Sequence, residues 1–132
     1  MQVADKIMMV NIAVSDMPKA KEFYEGKLGL KVMQDFRQSD DHWWVSLSTP
    51  DGGTTLTLTT YHGNMQPGTM LMYFQTSDVD TAHKELTDKG VKVSEVQDDL
   101  FGPGSGVKWF DFDDPEGNHL YLAQKHEARA PF

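Results

Sequence analysis

The sequence predicts an α+β fold built from two tandem β-α-β-β-β modules. The main observation is an internal repeat, which relates residues 15–32, "SDMPKAKEFYEGKLGLKV", to residues 77–93, "SDVDTAHKELTDKGVKV". Both segments begin with Ser-Asp and end in a glycine followed by an apolar residue and Lys-Val. Apolar residues recur at helical spacing inside the repeats and alternate with polar residues around them, which indicates helices flanked by strands.

Each repeat predicts a helix with a defined beginning and end. Asp16 and Asp78 are suited to cap the N-terminus, because their carboxylates can accept hydrogen bonds from free backbone N–H groups. Pro18 falls in the first turn, where its missing N–H costs little. Gly29 and Gly90 follow the last turn and are suited to the left-handed conformation that ends many helices.

The strands are predicted from their period of two. The predicted ranges are 7–14, 31–36, 43–48 and 55–61 in the first half, and 70–76, 91–96, 107–112 and 119–124 in the second half. We therefore expect residues 1–132 to form a single domain, with module one at about 7–61, a linker at 62–69 and module two at about 70–125.

The composition excludes several classes of function. The net charge is −8 and the lysines are scattered, so the sequence predicts no nucleic-acid partner. No apolar run approaches the roughly 20 residues of a membrane-spanning helix, and the N-terminus does not resemble a secretory signal. Cysteine is absent, which excludes disulfides and thiolate chemistry. These features together favour a cytoplasmic protein with no membrane partner.

The segments "NIAVSDMPKAKEFYEGKLGLKV" and "FDFDDPEGNHLYL" and the internal duplication resemble the vicinal oxygen chelate superfamily. That superfamily includes glyoxalase I, extradiol dioxygenases and bleomycin-resistance proteins. The resemblance implies that the two modules form a cup-shaped mixed sheet and that the chain assembles as a homodimer. It also implies a small-molecule ligand in the half-barrel cavity.

The resemblance further implies where metal ligands belong in metal-dependent members: one position on each of strands one, four, five and eight. In this chain those positions carry Met9, Thr57, Leu71 and Tyr121. A divalent cation prefers imidazole or carboxylate donors, which none of these side chains provides. We therefore expect no metal and no cofactor. The chain is closest in character to the metal-free bleomycin-resistance-like branch.

Alternation assigns aromatic and polar side chains to the concave face, a composition typical of pockets for small molecules. The predicted ligand-binding residues are Asn11, Trp44, Thr57, Tyr73, Trp109, Asp111, His119 and Tyr121. We expect the chain to bind, and to sequester without chemistry, a partly aromatic antibiotic or natural product, as in antibiotic resistance. Asp111 is an anion suited to a cationic ligand.

Two alternatives stay open at this point. The first is an enzyme of the lyase, isomerase or dioxygenase type, either metal-free or with a relocated metal site. Its catalytic candidates are weak: His119 or Asp111 as a general base. The second alternative is an accessory module that pairs with another protein. The sequence favours binding without catalysis.

Overall fold

The computed structural model describes residues 2–124, which form two compact units. Unit 1 runs from the N-terminus to Met70 and also includes Pro115–Gly117. Unit 2 contains Leu71–Asp114 and the strand that follows Asn118. The predicted end of module two, at about residue 125, lies outside the described residues. None of the helices in this part of the chain is long and apolar enough to cross a bilayer.

Unit 1 contains a four-stranded mixed sheet with two helical segments beside it. Its elements are β1 (Met9–Ala13), α1 (Met17–Lys21), a π-helical segment (Glu22–Lys27), β2 (Lys31–Ser39), β3 (His42–Ser48) and β4 (Thr55–Thr59). The strand order is β1-β4-β3-β2, in which β1 and β4 are parallel and the other pairs are antiparallel.

The predicted limits of the first helix are confirmed, but its second half is π-helical. Asp16 accepts a hydrogen bond from the backbone N–H of Lys19 at 3.1 Å, and Gly29 ends the helical segment with a φ of 78°. Between them, the Leu28 N–H donates to the Phe23 carbonyl, five residues earlier, at 3.0 Å. This spacing is that of a π-turn, which a 3.6-residue hydrophobic pattern does not reveal.

Unit 2 repeats the arrangement with fewer strands. Its elements are β5 (Leu71–Thr76), α2 (Val79–Asp88), β6 (Trp109–Asp113) and β7 (His119–Gln124). The order is β5-β7-β6, with β5 parallel and β6 antiparallel to β7. Asp78 caps α2 through the Thr81 N–H at 3.1 Å, and Gly90 has a φ of 84°, so these predictions are also confirmed. Both sheets are mixed, and the predicted α+β class is confirmed.

The predicted strand at 91–96 is wrong. This segment runs beside β6, but only the Ser94 N–H to Asp111 carbonyl bond and an isolated bridge between Gln97 and Trp109 connect the two backbones. The hydroxyl of Ser94 also accepts a hydrogen bond from the Asp111 N–H at 2.9 Å, where a regular ladder would use a backbone carbonyl as the acceptor. This side-chain bond interrupts the ladder, although the residues alternate as a strand does.

Each sheet buries one apolar face. In unit 1 the fully buried strand residues include Ile12, Val45, Leu47 and Leu58. In unit 2 Phe110 and Leu120 are 0% exposed, and Phe112 and Leu122 are also buried. Helix α2 covers this second face, where the His83 ring meets the Phe110 ring edge-on at 5.0 Å. Because side chains alternate along a strand, the opposite face of β5-β7-β6 must carry the remaining residues.

The turn between β6 and β7 is held by side-chain hydrogen bonds. Asp114 is buried and accepts from the backbone N–H of Asn118 at 2.9 Å and from its side-chain amide at 2.8 Å. Glu116 bonds instead within unit 1, where its carboxylate accepts from the Ser15 N–H, the Ser15 hydroxyl and the Asp16 N–H. The sequence "DPEGN" indicates the turn but not these distant partners.

A candidate ligand-binding face on the second sheet

The face of β5-β7-β6 opposite α2 carries most of the predicted ligand-binding residues, and we call it the aromatic face. The strand register pairs Tyr73 with Tyr121, and Tyr121 with Asp111, so these three side chains point to the same side. By the same alternation the aromatic face consists of Leu71, Tyr73, Gln75, Trp109, Asp111, Asp113, His119, Tyr121 and Ala123.

Three aromatic rings form a row across the aromatic face. Tyr73 stacks on Tyr121 with ring centroids 4.5 Å apart and planes 16° apart. Trp109 lies 5.2 Å from Tyr121 on its other side, with planes 34° apart. Tyr73 is 55% exposed, so the row is accessible to solvent from the β5 side. Flat apolar rings in this arrangement offer contact area to a planar molecule.

A cavity of about 390 Å³ opens beside the row. Its lining residues come from β5, from the end of β7 and from the loop that precedes β6: Tyr73, Phe74, Gln75, Leu100, Phe101, Ala123 and Gln124. A volume of this order lies within the range of pockets that hold small organic molecules. None of these side chains carries a charge at neutral pH.

The loop at residues 98–106 supplies the lip of the cavity. Leu100 is buried in a small cluster with Val107 and Ala123, against which Trp109 and Tyr121 pack. Phe101 follows with a φ of 70°, the single non-glycine residue among those described with a positive φ, and is 58% exposed. Bulky residues rarely adopt this conformation without a constraint from the surrounding structure.

Sequence reasoning missed Leu100 and Phe101. The available signal was the presence of two apolar residues inside a polar, glycine-rich segment, which indicates that part of this segment folds onto the sheet. Ser105 fixes the loop by donating its hydroxyl to the Leu100 carbonyl at 2.5 Å. The Trp109 indole N–H donates to the Asp99 carboxylate at 2.9 Å, which ties the loop to β6.

His119 lies between two carboxylates at the other end of the aromatic face. Its Nδ1 is 2.8 Å from Asp113 Oδ1 and its Nε2 is 2.9 Å from Asp111 Oδ2. The hydrogen bond to Asp113 is the main cause that raises the pKa of His119. Burial opposes this effect and is the second-largest influence, and Asp111 raises the pKa further. Both ring nitrogens can donate only in the imidazolium form, so this geometry favours the protonated ring.

This pairing changes the roles expected for His119 and Asp111. A general base must hold a free lone pair, which a ring with two donated hydrogens lacks. Asp111 in turn faces a cation already, so its charge is partly neutralised before any cationic ligand arrives. The arrangement therefore argues against His119 as a base and against Asp111 as a free anionic anchor.

The raised pKa of His119 predicts a stability that depends on pH. The folded pKa lies above the ordinary value of 6.5, so the stabilisation is complete below that value and is lost as the pH rises through the folded pKa. The free energy of unfolding, measured by urea denaturation, should therefore fall as the pH rises above 6.5, and it should fall more for the wild type than for His119→Gln.

Asp113→Asn should lower the His119 pKa measured by NMR titration of its ring protons, since it removes the main cause of the shift. Asp88→Asn is the matched control, because Asp88 pairs with Lys84 on α2. An unchanged His119 pKa in Asp113→Asn would contradict the ion-pair geometry.

The remaining predicted ligand-binding residues lie in unit 1. The register pairs Asn11 with Thr57 and Thr57 with Ser46, so these side chains share one face of the first sheet. Thr57 is 2% exposed and its hydroxyl lies 3.1 Å from that of Ser46, so its hydrogen-bonding capacity is already used. Trp44 is half-buried on the same face, with its ring 5.6 Å from that of Phe36.

The four positions at which the resemblance implies metal ligands do not fit a divalent cation. Thr57 Oγ1 donates to Met9 Sδ at 3.5 Å in unit 1. In unit 2 Leu71 has no donor atom, and burial raises the pKa of Tyr121, with smaller effects of Tyr73 and Asp111, so its phenol stays protonated. Across residues 2–124 no group of three or more His, Cys, Asp or Glu side chains could hold a metal ion.

Comparison with known proteins agrees with this arrangement. The sequence model of the Glyoxalase/Bleomycin resistance protein/Dioxygenase superfamily matches residues 6–122, which is most of the chain. The chain belongs to this superfamily. None of the curated proteins matches its sequence.

Three solved structures are similar to this chain over 88% or more of its length. TnmS3, an antibiotic binding protein from Streptomyces sp. CB03234, is 26% identical with a TM-score of 0.82, covering 96% of this chain and 100% of its own. A glyoxalase/bleomycin resistance protein from the same organism is 28% identical, with a TM-score of 0.74 and coverages of 88% and 97%. A superfamily member from Sphaerobacter thermophilus DSM 20745 is 26% identical, with a TM-score of 0.76 and coverages of 92% and 98%.

Proposed function

We propose that this chain binds a small, partly aromatic molecule on the aromatic face and sequesters it without metal and without chemical change. The observation that carries the proposal is the row of Tyr73, Tyr121 and Trp109 beside a cavity with an uncharged lining. The rings supply apolar contact area, and the cavity supplies the concave volume that a drug-sized ligand needs.

The comparison with TnmS3 supports the class of ligand. That protein is described as an antibiotic binding protein, and this chain is similar to it over 96% of its length. An antibiotic or related natural product is therefore the ligand class we assign. Asn11 and Trp44, predicted from the sequence as ligand contacts, lie in unit 1 and outside the aromatic face, so their role stays a separate prediction.

Sequestration requires affinity and protein concentration but no reaction. A binding protein lowers the free concentration of its ligand by mass action, and the ligand in return stabilises the folded chain. The site is suited to this role, because the imidazole on the aromatic face is held between carboxylates and the positions implied for metal ligands lack suitable donors. Nothing in this mechanism depends on bond breaking.

The test is a binding screen that also checks the fate of the ligand. The chain contains three tryptophans, and Trp43→Phe combined with Trp44→Phe leaves Trp109 as the only indole. Titration of this variant with a panel of polycyclic aromatic antibiotics should quench the Trp109 fluorescence for at least one compound. Mass spectrometry of the compound released from wild-type protein should show an unchanged mass.

Two results would count against the proposal. If no compound in the panel changes the Trp109 fluorescence or the unfolding temperature of the wild type, the aromatic face does not bind such ligands. If the compound is recovered with an altered mass, and a compound incubated without protein is not, the chain is an enzyme.

A further inference from the structure

The cavity beside the aromatic row has a single uncommitted side-chain amide. The Gln124 amide is already used, because its oxygen accepts from the Val79 N–H at 2.9 Å and its nitrogen donates to the Ser77 carbonyl. The exposed Gln75 amide makes no side-chain hydrogen bond to any other residue in the described part of the chain. It therefore keeps both donors and the acceptor for a ligand.

The charges around the cavity are unsuitable for an anion. The aromatic face carries Asp111 and Asp113 and, within residues 2–124, no lysine or arginine. Its only cationic side chain, His119, is held between those two carboxylates. The Asp99 carboxylate lies near the lip, where it accepts from the Trp109 indole. The whole chain is also acidic, with a formal net charge of −8.

An anionic ligand in this cavity would lose part of its hydration without gaining a cationic partner among residues 2–124. Burying a carboxylate without a pairing charge is far more costly than burying an amide that is hydrogen-bonded. An uncharged ligand has no such penalty, and an amide or carbonyl group at its edge can pair with Gln75. The cavity therefore distinguishes ligands by charge as well as by shape.

We propose that the site excludes aromatic carboxylates and takes aromatic ligands that bear a hydrogen-bonding carbonyl or amide, and that Gln75 is the residue that recognises this group. This inference rests on the proposed function, since it names the ligand class of the same face. Gln75 is a specificity-determining residue with no chemical role.

The test compares two ligands of the same shape that differ in charge. Isothermal titration of the wild type with 2-naphthamide and with 2-naphthoate should show at least about tenfold tighter binding of the amide. Gln75→Leu should weaken 2-naphthamide binding by about fivefold or more, because the ring contacts remain and the hydrogen bond is lost. Gln75→Lys should strengthen 2-naphthoate binding by placing a cation at the same point.

Gln38→Leu, on β2 in unit 1, is the matched control and should leave both affinities unchanged. If 2-naphthoate binds the wild type as tightly as 2-naphthamide, the inference fails and the proposed function stands. It also fails if neither probe binds while a compound of the antibiotic panel does, or if Gln75→Leu leaves the 2-naphthamide affinity unchanged. If neither probe nor any compound of the panel binds, the proposed function fails with it.

Discussion

Tyr121→Ala is expected to weaken the binding of an aromatic ligand by about 30-fold or more. Tyr121 is the middle ring of the row, stacked on Tyr73 at 4.5 Å and packed against Trp109 at 5.2 Å. Its removal takes away one ring and the support that orients the other two. Because aromatic residues at the centre of a binding surface contribute most of its energy, this position should be the most sensitive.

The measurement is the dissociation constant of 2-naphthamide, or of any compound retained in the antibiotic screen, by isothermal titration. Tyr121→Phe is the matched control and should bind within about twofold of the wild type, since the ring is kept. Circular dichroism is needed for the alanine variant, because Tyr121 also packs on the cluster of Leu100, Val107 and Ala123. A folded Tyr121→Ala protein with unchanged affinity would show that the row is not the binding surface.

Gly68→Ala is expected to destabilise the fold by about 2–4 kcal/mol. Gly68 has a φ of 82°, which is unfavourable for alanine, and an added Cβ would lie 2.3 Å from the carbonyl oxygen of Glu116. Backbone atoms at that separation must move. The shift would disturb Glu116, whose carboxylate accepts three hydrogen bonds from Ser15 and Asp16 at the start of α1.

The measurement is the free energy of unfolding by urea denaturation. Gly63→Ala is the matched control in the same linker: its φ is 54°, but an added Cβ would meet nothing within 4 Å. It should cost only about 1 kcal/mol, the penalty of the left-handed conformation. Equal losses in the two variants would show that the close approach of Gly68 to Glu116 does not contribute to stability.

Several expectations remain predictions after the structure is considered. The homodimer and the cytoplasmic location are in this group. So are the absence of a nucleic-acid partner and the single-domain boundaries. The binding roles of Asn11, Trp44, Thr57, Tyr73, Trp109, Asp111, His119 and Tyr121 also remain predictions, of which the binding experiments above address Trp109 and Tyr121.

The sequence by itself determined the features that depend on local chemistry. The capping carboxylates of Asp16 and Asp78, the left-handed Gly29 and Gly90, and the α+β class follow from neighbouring residues and from the period of the hydrophobic pattern. The faces of β5, β6 and β7 follow for the same reason, because alternation along a strand is fixed by backbone geometry.

The tertiary structure alone decided the contacts between residues distant in the sequence. The alternating pattern of residues 91–96 predicts a strand. In the structure the Ser94 hydroxyl accepts the hydrogen bond from the Asp111 N–H, where a regular ladder would use a backbone carbonyl. The sequence does not show that Leu100 packs in a cluster with Val107 and Ala123, or that Leu100 and Phe101 line the cavity, because these contacts form only when the loop folds onto the sheet. His119 has the same sequence signature whether it is a base or a bridging imidazolium. The positions of Asp111 and Asp113 around the ring raise its pKa and favour its protonated form, because a pKa depends on neighbours in space.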